Sequence, residues 1–132
     1  MSEMKTPGKF SWNEILTSDI AKAKGFYSEL FGWSAIQTEM GPPGHKYVLF
    51  QKNGENVAGL ASNQLGDWGD PSPRWASYVT VEDLKSSLAR AKQLGGTLVS
   101  GPQEIPNIGQ YAVIADPTGA TLALYEAGEN HG

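Results

Sequence analysis

The chain repeats itself at an offset of 64 residues. Asp19-Ile20 returns as Asp83-Leu84, Tyr47-Val48-Leu49-Phe50 as Tyr111-Ala112-Val113-Ile114, and the turn before Val57 as the turn before Thr121. One junction slips by a residue, where Phe31-Gly32 answers Leu94-Gly95. A period of this length marks two copies of one supersecondary unit, neither able to bury its apolar faces alone. Whatever one copy folds into, the other must fold into as well.

Each copy reads as β-α-β-β-β. In the first, Phe10 to Leu16 is a strand, and Thr17-Ser18-Asp19 supplies a helix N-cap. Ile20, Ala23, Tyr27, Leu30 and Phe31 then mark one helical face, which Gly32 ends as a C′ residue. Strands are expected at 34–39, 46–51 and 57–61, with Gly41-Pro42-Pro43-Gly44 and the hairpin signal Asn53-Gly54 between them. Residues 63–73 break the pattern and read as a linker. In the second copy, Trp75 to Val81 is a strand and Glu82-Asp83 opens a helix with Leu84, Leu88, Ala91 and Leu94 on its apolar face. Gly95-Gly96 stops that helix, and strands at 97–100, 110–115 and 121–125 complete the copy. Asp116-Pro117-Thr118-Gly119 is its last turn, with proline and glycine where a type I turn favours them.

Composition agrees with turn-rich β structure, since 16 glycines and 8 prolines in 132 residues exceed ordinary usage. Residues 1–132 read as one α+β domain, with modules at roughly 9–62 and 74–127. The net charge of −4, with no basic run longer than a pair, excludes a phosphate-binding surface and hence a nucleic-acid partner. The absence of cysteine excludes thiol nucleophiles, disulfide scaffolds and Cys-ligated metals. No apolar stretch approaches the ~20 residues of a membrane span, and residues 1–9 lack the apolar core of a secretory signal. A cytoplasmic protein with no membrane partner is expected.

Two β-α-β-β-β units can join their sheets with both helices outside and a concave face between them. Strand alternation then sorts the residues. Ile15 and Thr17 should face the first helix, leaving Trp12, Glu14 and Leu16 toward the concavity. Ala76, Tyr78 and Thr80 take the matching places in the second copy. Ala58 and Leu60 face the helix, so Gly59 and Ala61 point inward, as do Ala123 and Tyr125. The expected cleft is lined by aromatics, small residues and one carboxylate. Ile15, Tyr27, Leu30, Leu84, Leu88 and Leu124 are expected in the helix–sheet cores.

The run Trp12-Asn13-Glu14-Ile15-Leu16-Thr17-Ser18-Asp19, the later Phe26-Tyr27-Ser28-Glu29-Leu30-Phe31-Gly32-Trp33 and the closing Ala115-Asp116-Pro117-Thr118-Gly119-Ala120 resemble the vicinal oxygen chelate superfamily. That superfamily holds glyoxalase I, bleomycin-resistance proteins, fosfomycin-resistance enzymes and extradiol dioxygenases. The resemblance covers roughly residues 9 to 127 and implies paired β-α-β-β-β modules; for this chain a homodimer is expected. In metal-dependent members it also implies a His or Glu ligand on the first and fourth strands of each module. Carried across, those positions are Trp12, Gly59, Ala76 and Ala123, none of which can bind a cation. The chain has two histidines, His45 and His131, too few for an imidazole-rich site. A displaced site would have to combine Glu14, His45 and Glu39, which sit at no known ligand spacing. No metal or other cofactor is expected.

Glu14 has two readings. It is either a ligand anchor or general base whose pKa burial raises, or a structural carboxylate paired with a backbone N–H or with Arg74. Trp12, Tyr47, Tyr78, Tyr111 and Tyr125 form either a cage for a planar ligand or plain core. With Gly59, Ala76 and Ala123 leaving space opposite, they predict a pocket rather than a filled interior. His45 is either a solvated loop residue or an acid/base group at the strand mouth. Trp68 and Trp75, beside Asp67 and Asp70, read as linker-flanking residues that pack a partner chain or lie on the surface. The expected function is metal-free binding of a small hydrophobic or aromatic molecule, as in a resistance or accessory protein. The alternatives are a metal-independent lyase or isomerase using Glu14, a metal-dependent glyoxalase- or dioxygenase-type enzyme, and a purely structural dimer module.

Overall fold

The structure is a computed structural model that describes residues 6–39, 46–62, 68, 72–105 and 108–128. The elements are β1 (Phe10–Leu16), α1 (Ile20–Phe31), β2 (Ser34–Glu39), β3 (Lys46–Lys52), β4 (Glu55–Ala61), β5 (Arg74–Thr80), α2 (Leu84–Gln93), β6 (Thr97–Ile105), β7 (Gly109–Ala115) and β8 (Thr121–Ala127). The eight strands form one mixed sheet in the order β2-β3-β4-β1-β5-β8-β7-β6. Within each module the first and fourth strands pair in parallel, β1 with β4 and β5 with β8. The modules join where β1 pairs antiparallel with β5. The expected α+β class and its two-module architecture are what the chain adopts.

That joint carries the symmetry of the molecule. Asn13 lies opposite Ser77, its own repeat equivalent, and the Ser77 hydroxyl donates to Asn13 Oδ1 at 2.7 Å. A local twofold therefore passes between them, with Trp12 opposite Tyr78 on one side and Glu14 opposite Ala76 on the other.

Strand alternation divides the core into three. Ile15, Val48, Phe50, Ala58 and Leu60 bury against α1, with Ile20, Ala23 and Tyr27 covering them. Leu84, Ala112, Ile114 and Leu124 form the matching cluster under α2, with Leu88 and Ala91. The third cluster lies on the helix-free face and contains Leu16, Tyr47, Ala61, Trp68, Ala76, Tyr78, Val113, Ala123 and Tyr125.

Local signals act as their chemistry dictates. Asp19 accepts the Lys22 N–H at 3.1 Å, and Gly32 closes α1 at φ 71° with its N–H on the Ser28 carbonyl. Asn53 and Gly54 both take positive φ, 53° and 82°, the geometry of a two-residue type I′ hairpin turn. At the last turn, Asp116 Oδ1 accepts from the Thr118 N–H, the Thr118 hydroxyl and the Ala120 N–H, which holds its carboxyl below the usual range.

Three details differ from expectation. Leu30 is 57% exposed rather than core, although it shares a helical face with Ala23 and Tyr27; it lies in the last turn of α1, which ends at Phe31. Strand β6 runs on to Ile105, past Gly101-Pro102, where the expected strand stopped at Ser100. It lies at the sheet edge and shifts register between Ser100 and Gln103, which is where a proline in a strand is tolerated. The side chain of Asp83 makes no cap bond, and Glu126 of β8 instead accepts the Leu84 N–H at 2.7 Å. Among the described residues no helix is long and apolar enough to cross a membrane.

Candidate functional site

Glu14 projects from the joint strand β1 onto the helix-free face and is buried. Its cross-strand neighbours are Gly59 on β4 and Ala76 on β5, the two smallest side chains available, so the carboxylate has open backbone on both sides. Two rings close over it. The Tyr47 hydroxyl donates to Oε1 at 2.6 Å and the Tyr78 hydroxyl to Oε2 at 2.5 Å. Trp12 Nε1 in turn donates to the Tyr47 oxygen at 2.7 Å. The chain Trp12–Tyr47–Glu14–Tyr78 spans three strands and crosses the twofold, since Tyr78 is the repeat equivalent of Glu14.

Small residues and large rings are complementary here. A Cβ placed on Gly59 would stand 1.8 Å from the Tyr47 hydroxyl and 2.4 Å from Cζ. The space left by Gly59 is filled by Tyr47, and Ala76 and Ala123 are likewise covered. The sequence expectation of empty volume opposite these three residues is therefore corrected at Gly59. Tyr47, Tyr78 and Tyr125 form a packed floor, while Trp12, Leu49, Val99, Ile108 and Tyr111 stay half-buried at its margin. Tyr111 stands edge-on to Tyr78 with ring centroids 5.8 Å apart, and its hydroxyl reaches Gln103 Oε1 at 3.3 Å. The Tyr125 hydroxyl donates to the Ile108 carbonyl at 3.1 Å.

All nine expected site residues thus lie on one face: Trp12, Glu14, Tyr47, Gly59, Ala76, Tyr78, Tyr111, Ala123 and Tyr125. Glu14 accepts from the phenols of Tyr47 and Tyr78, and Arg74 starts β5 opposite Leu16 and donates to Ser72 Oγ. His45 and His131 lie outside the described residues. Trp68 was not foreseen in the site. It is 6% exposed and packs edge-on against Tyr78 at 6.1 Å. Its signal was there, as a large aromatic ring in an otherwise polar connection between two modules that share one apolar face. Trp75 takes the opposite face, 47% exposed, with its indole N–H on Tyr27.

The donor set does not fit a metal. Trp12, Gly59, Ala76 and Ala123 offer an indole, a hydrogen and two methyls. The strand register pairs Gly59 with Glu14 and Ala123 with Tyr78, which adds a single carboxylate. Among the described residues no three His, Asp or Glu side chains gather as a cation site.

Burial, and then the charge and hydrogen bonds of Glu14, hold both Tyr47 and Tyr78 well above the ordinary phenol value of 10.0. Tyr125 is raised by burial alone. Unfolded phenols lose their protons near 10 while these two retain theirs. Their contribution to stability is therefore complete below that pH and is lost as pH rises toward the folded values. In an alkaline titration, the phenolate absorbance of Tyr47 and Tyr78 should appear only together with loss of the folded circular dichroism signal. Ionisation of all five tyrosines in a still-folded chain would contradict this burial.

The family model of the Glyoxalase/Bleomycin resistance protein/Dioxygenase superfamily matches residues 9–124. The chain is 31% identical over 125 residues to a putative glyoxylase of Mycobacterium tuberculosis, covering 95% of this chain and 48% of the relative. It is 30% identical over 138 residues to an anthracycline biosynthesis protein of Streptomyces peucetius, covering 96% and 50%. The chain thus spans about half the length of the curated relatives it matches. Among solved structures, methylmalonyl-CoA epimerase from Mycobacterium tuberculosis superposes with a TM-score of 0.62 at 17% identity, over 96% of this chain and 93% of the epimerase. That likeness shows the fold.

Proposed function

The chain belongs to the Glyoxalase/Bleomycin resistance protein/Dioxygenase superfamily, and from that premise we propose that it binds a small molecule with an apolar or aromatic body on its helix-free face, without a metal. The observation that carries the reading is the buried Trp12–Tyr47–Glu14–Tyr78 chain under a half-buried aromatic margin. A face serving only as core would be filled more cheaply by apolar residues, because a buried carboxylate carries a desolvation cost. The ligand rests on Trp12 and Tyr111, with the packed tyrosines beneath it. A sequestering or accessory role follows, carried out by a cytoplasmic homodimer.

The metal-independent lyase or isomerase is the second reading. It would use Glu14 as base, and it is weakened by the two phenol protons that Glu14 already accepts, one on each oxygen. A substrate proton would have to displace one of them or use a remaining lone pair.

Titration of purified protein with planar naphthalene or anthraquinone probes should quench tryptophan fluorescence saturably. Trp12→Ala should weaken binding by about tenfold, the worth of one well-placed aromatic contact. Dialysis against a chelator should change neither affinity nor melting temperature. A chelator-dependent fall in either would return the protein to the metal-dependent class, and an absence of saturable binding would leave the face as plain core.

A further inference from the structure

The two halves of the helix-free face differ at matching positions. In the first module one row of residues crosses the sheet through Glu14, Gly59, Leu49 and Ile36, each directly opposite the next. The repeat places Tyr78, Ala123, Val113 and Ser100 at the same four positions, again opposite one another. That second row is closed. Ala123 and Val113 are fully buried, Val99 and Ile108 pack against their cluster, and the Tyr125 hydroxyl ties down the Ile108 carbonyl. It ends on the hydroxyl side chain of Ser100, where β6 shifts register on both sides. The first row stays open: Leu49 is half-buried and Ile36 is 44% exposed. Strand β2 pairs with β3 from Ser34 to Glu39 without a shift, so this row reaches the sheet edge unbroken. A branched apolar side chain thus stands where the repeat has a hydroxyl, on an edge strand that charged residues would ordinarily protect.

Resting on the reading of this face as a binding site, we infer that its ligand carries an unbranched apolar tail, laid from Trp12 over Leu49 to Ile36 at the edge of the first module. The buried second row stops a tail from running the other way. Gly59 is roofed by the Tyr47 ring, whose hydroxyl is held by Glu14 and Trp12, so an apolar surface continues from the indole outward. Leu49 and Ile36 present methyl groups rather than rings, which suits methylenes, because their contact needs no fixed orientation. From β1 to β2 is three strand spacings, about 14 Å, and a head ring on Trp12 takes about one of them. The remaining ~10 Å is roughly the length of an extended octyl chain.

The placement is tested by titrating 4-ethylphenol, 4-butylphenol and 4-octylphenol into wild type, Ile36→Asn and Leu98→Asn. Leu98 serves as the control, 51% exposed on the helix side of the opposite edge strand, where it faces Ile114. In wild type, affinity should rise at least about thirtyfold from butyl to octyl, short of the ~4-fold per methylene of full burial because the tail stays half open. Ile36→Asn should leave 4-ethylphenol within about twofold of wild type and weaken 4-octylphenol about tenfold, and Leu98→Asn should change neither. A flat response to tail length, equal losses for all three phenols, or no loss for 4-octylphenol overturns the inference while the binding site stands. Sedimentation velocity of Ile36→Asn should match wild type; a smaller species would make Ile36 a contact between subunits and overturn the inference as well. If no phenol binds wild type, the site reading itself fails and the inference falls with it.

Discussion

Gly59→Ala is expected to destabilise the fold by about 3 kcal/mol, a large effect for one added methyl group. The new Cβ would overlap the Tyr47 hydroxyl at 1.8 Å and the ring at 2.4 Å, so the ring must leave its seat. Overpacking of this kind costs about 1–3 kcal/mol. Moving Tyr47 also breaks its 2.6 Å bond to Glu14 and the 2.7 Å bond from Trp12, of which the charge-assisted one is worth about 1.5–3 kcal/mol. The lower conformational entropy of unfolded alanine returns about 0.4–1 kcal/mol, since Gly59 needs no positive φ. Urea unfolding reads the net loss. A double-mutant cycle assigns it: in a Tyr47→Ala background the methyl enters vacated space, and Gly59→Ala should cost under about 1 kcal/mol. A single variant within ~0.5 kcal/mol of wild type would show that Tyr47 does not sit over Gly59.

At Glu14 the contrast between two substitutions is informative. Glu14→Ala leaves the buried Tyr47 and Tyr78 protons without acceptors and opens a void, so a loss of about 4 kcal/mol is expected. Glu14→Gln keeps the shape and one acceptor oxygen. It can accept from Tyr47 and donate to the Tyr78 oxygen, which strands only the Tyr78 proton, at about 1–2 kcal/mol. The same change removes the charge that helps hold both phenols above 10.0, so in Glu14→Gln the stability lost between neutral and alkaline pH should be smaller than in wild type. If Glu14→Gln is as stable as wild type or more so, the desolvation of the carboxylate outweighs its two hydrogen bonds.

The sequence made the topology legible because the repeat duplicates every signal. Asp19, Gly32 and Asn53-Gly54 each demand one backbone geometry, and period-2 alternation placed Glu14, Tyr78 and Tyr125 on one face. Contacts that depend on distance across the sheet were not legible. Nothing local says that the Tyr47 ring reaches the space above Gly59 or that Glu126 caps α2. Trp68 was misjudged for a related reason: its surroundings in sequence are polar, and only the joined modules offer it an apolar face. The run of β6 beyond Ser100 was hidden by a proline that a central strand would have rejected and an edge strand accepts.

The twofold through Asn13 and Ser77 makes each residue beside it a near neighbour of its own counterpart. Two identical modules assembled about that axis would bring like against like. With glutamate at both positions, two carboxylates would meet and repel; with tyrosine at both, two phenols would meet with no charge between them. The Glu14–Tyr78 contact exists only in a molecule whose halves have come to differ at one pair of matching positions. Covalent linkage of the two modules therefore does more than hold them together. It permits a heterotypic contact at the centre of a symmetric scaffold, which no homodimer of a single module could form on its axis.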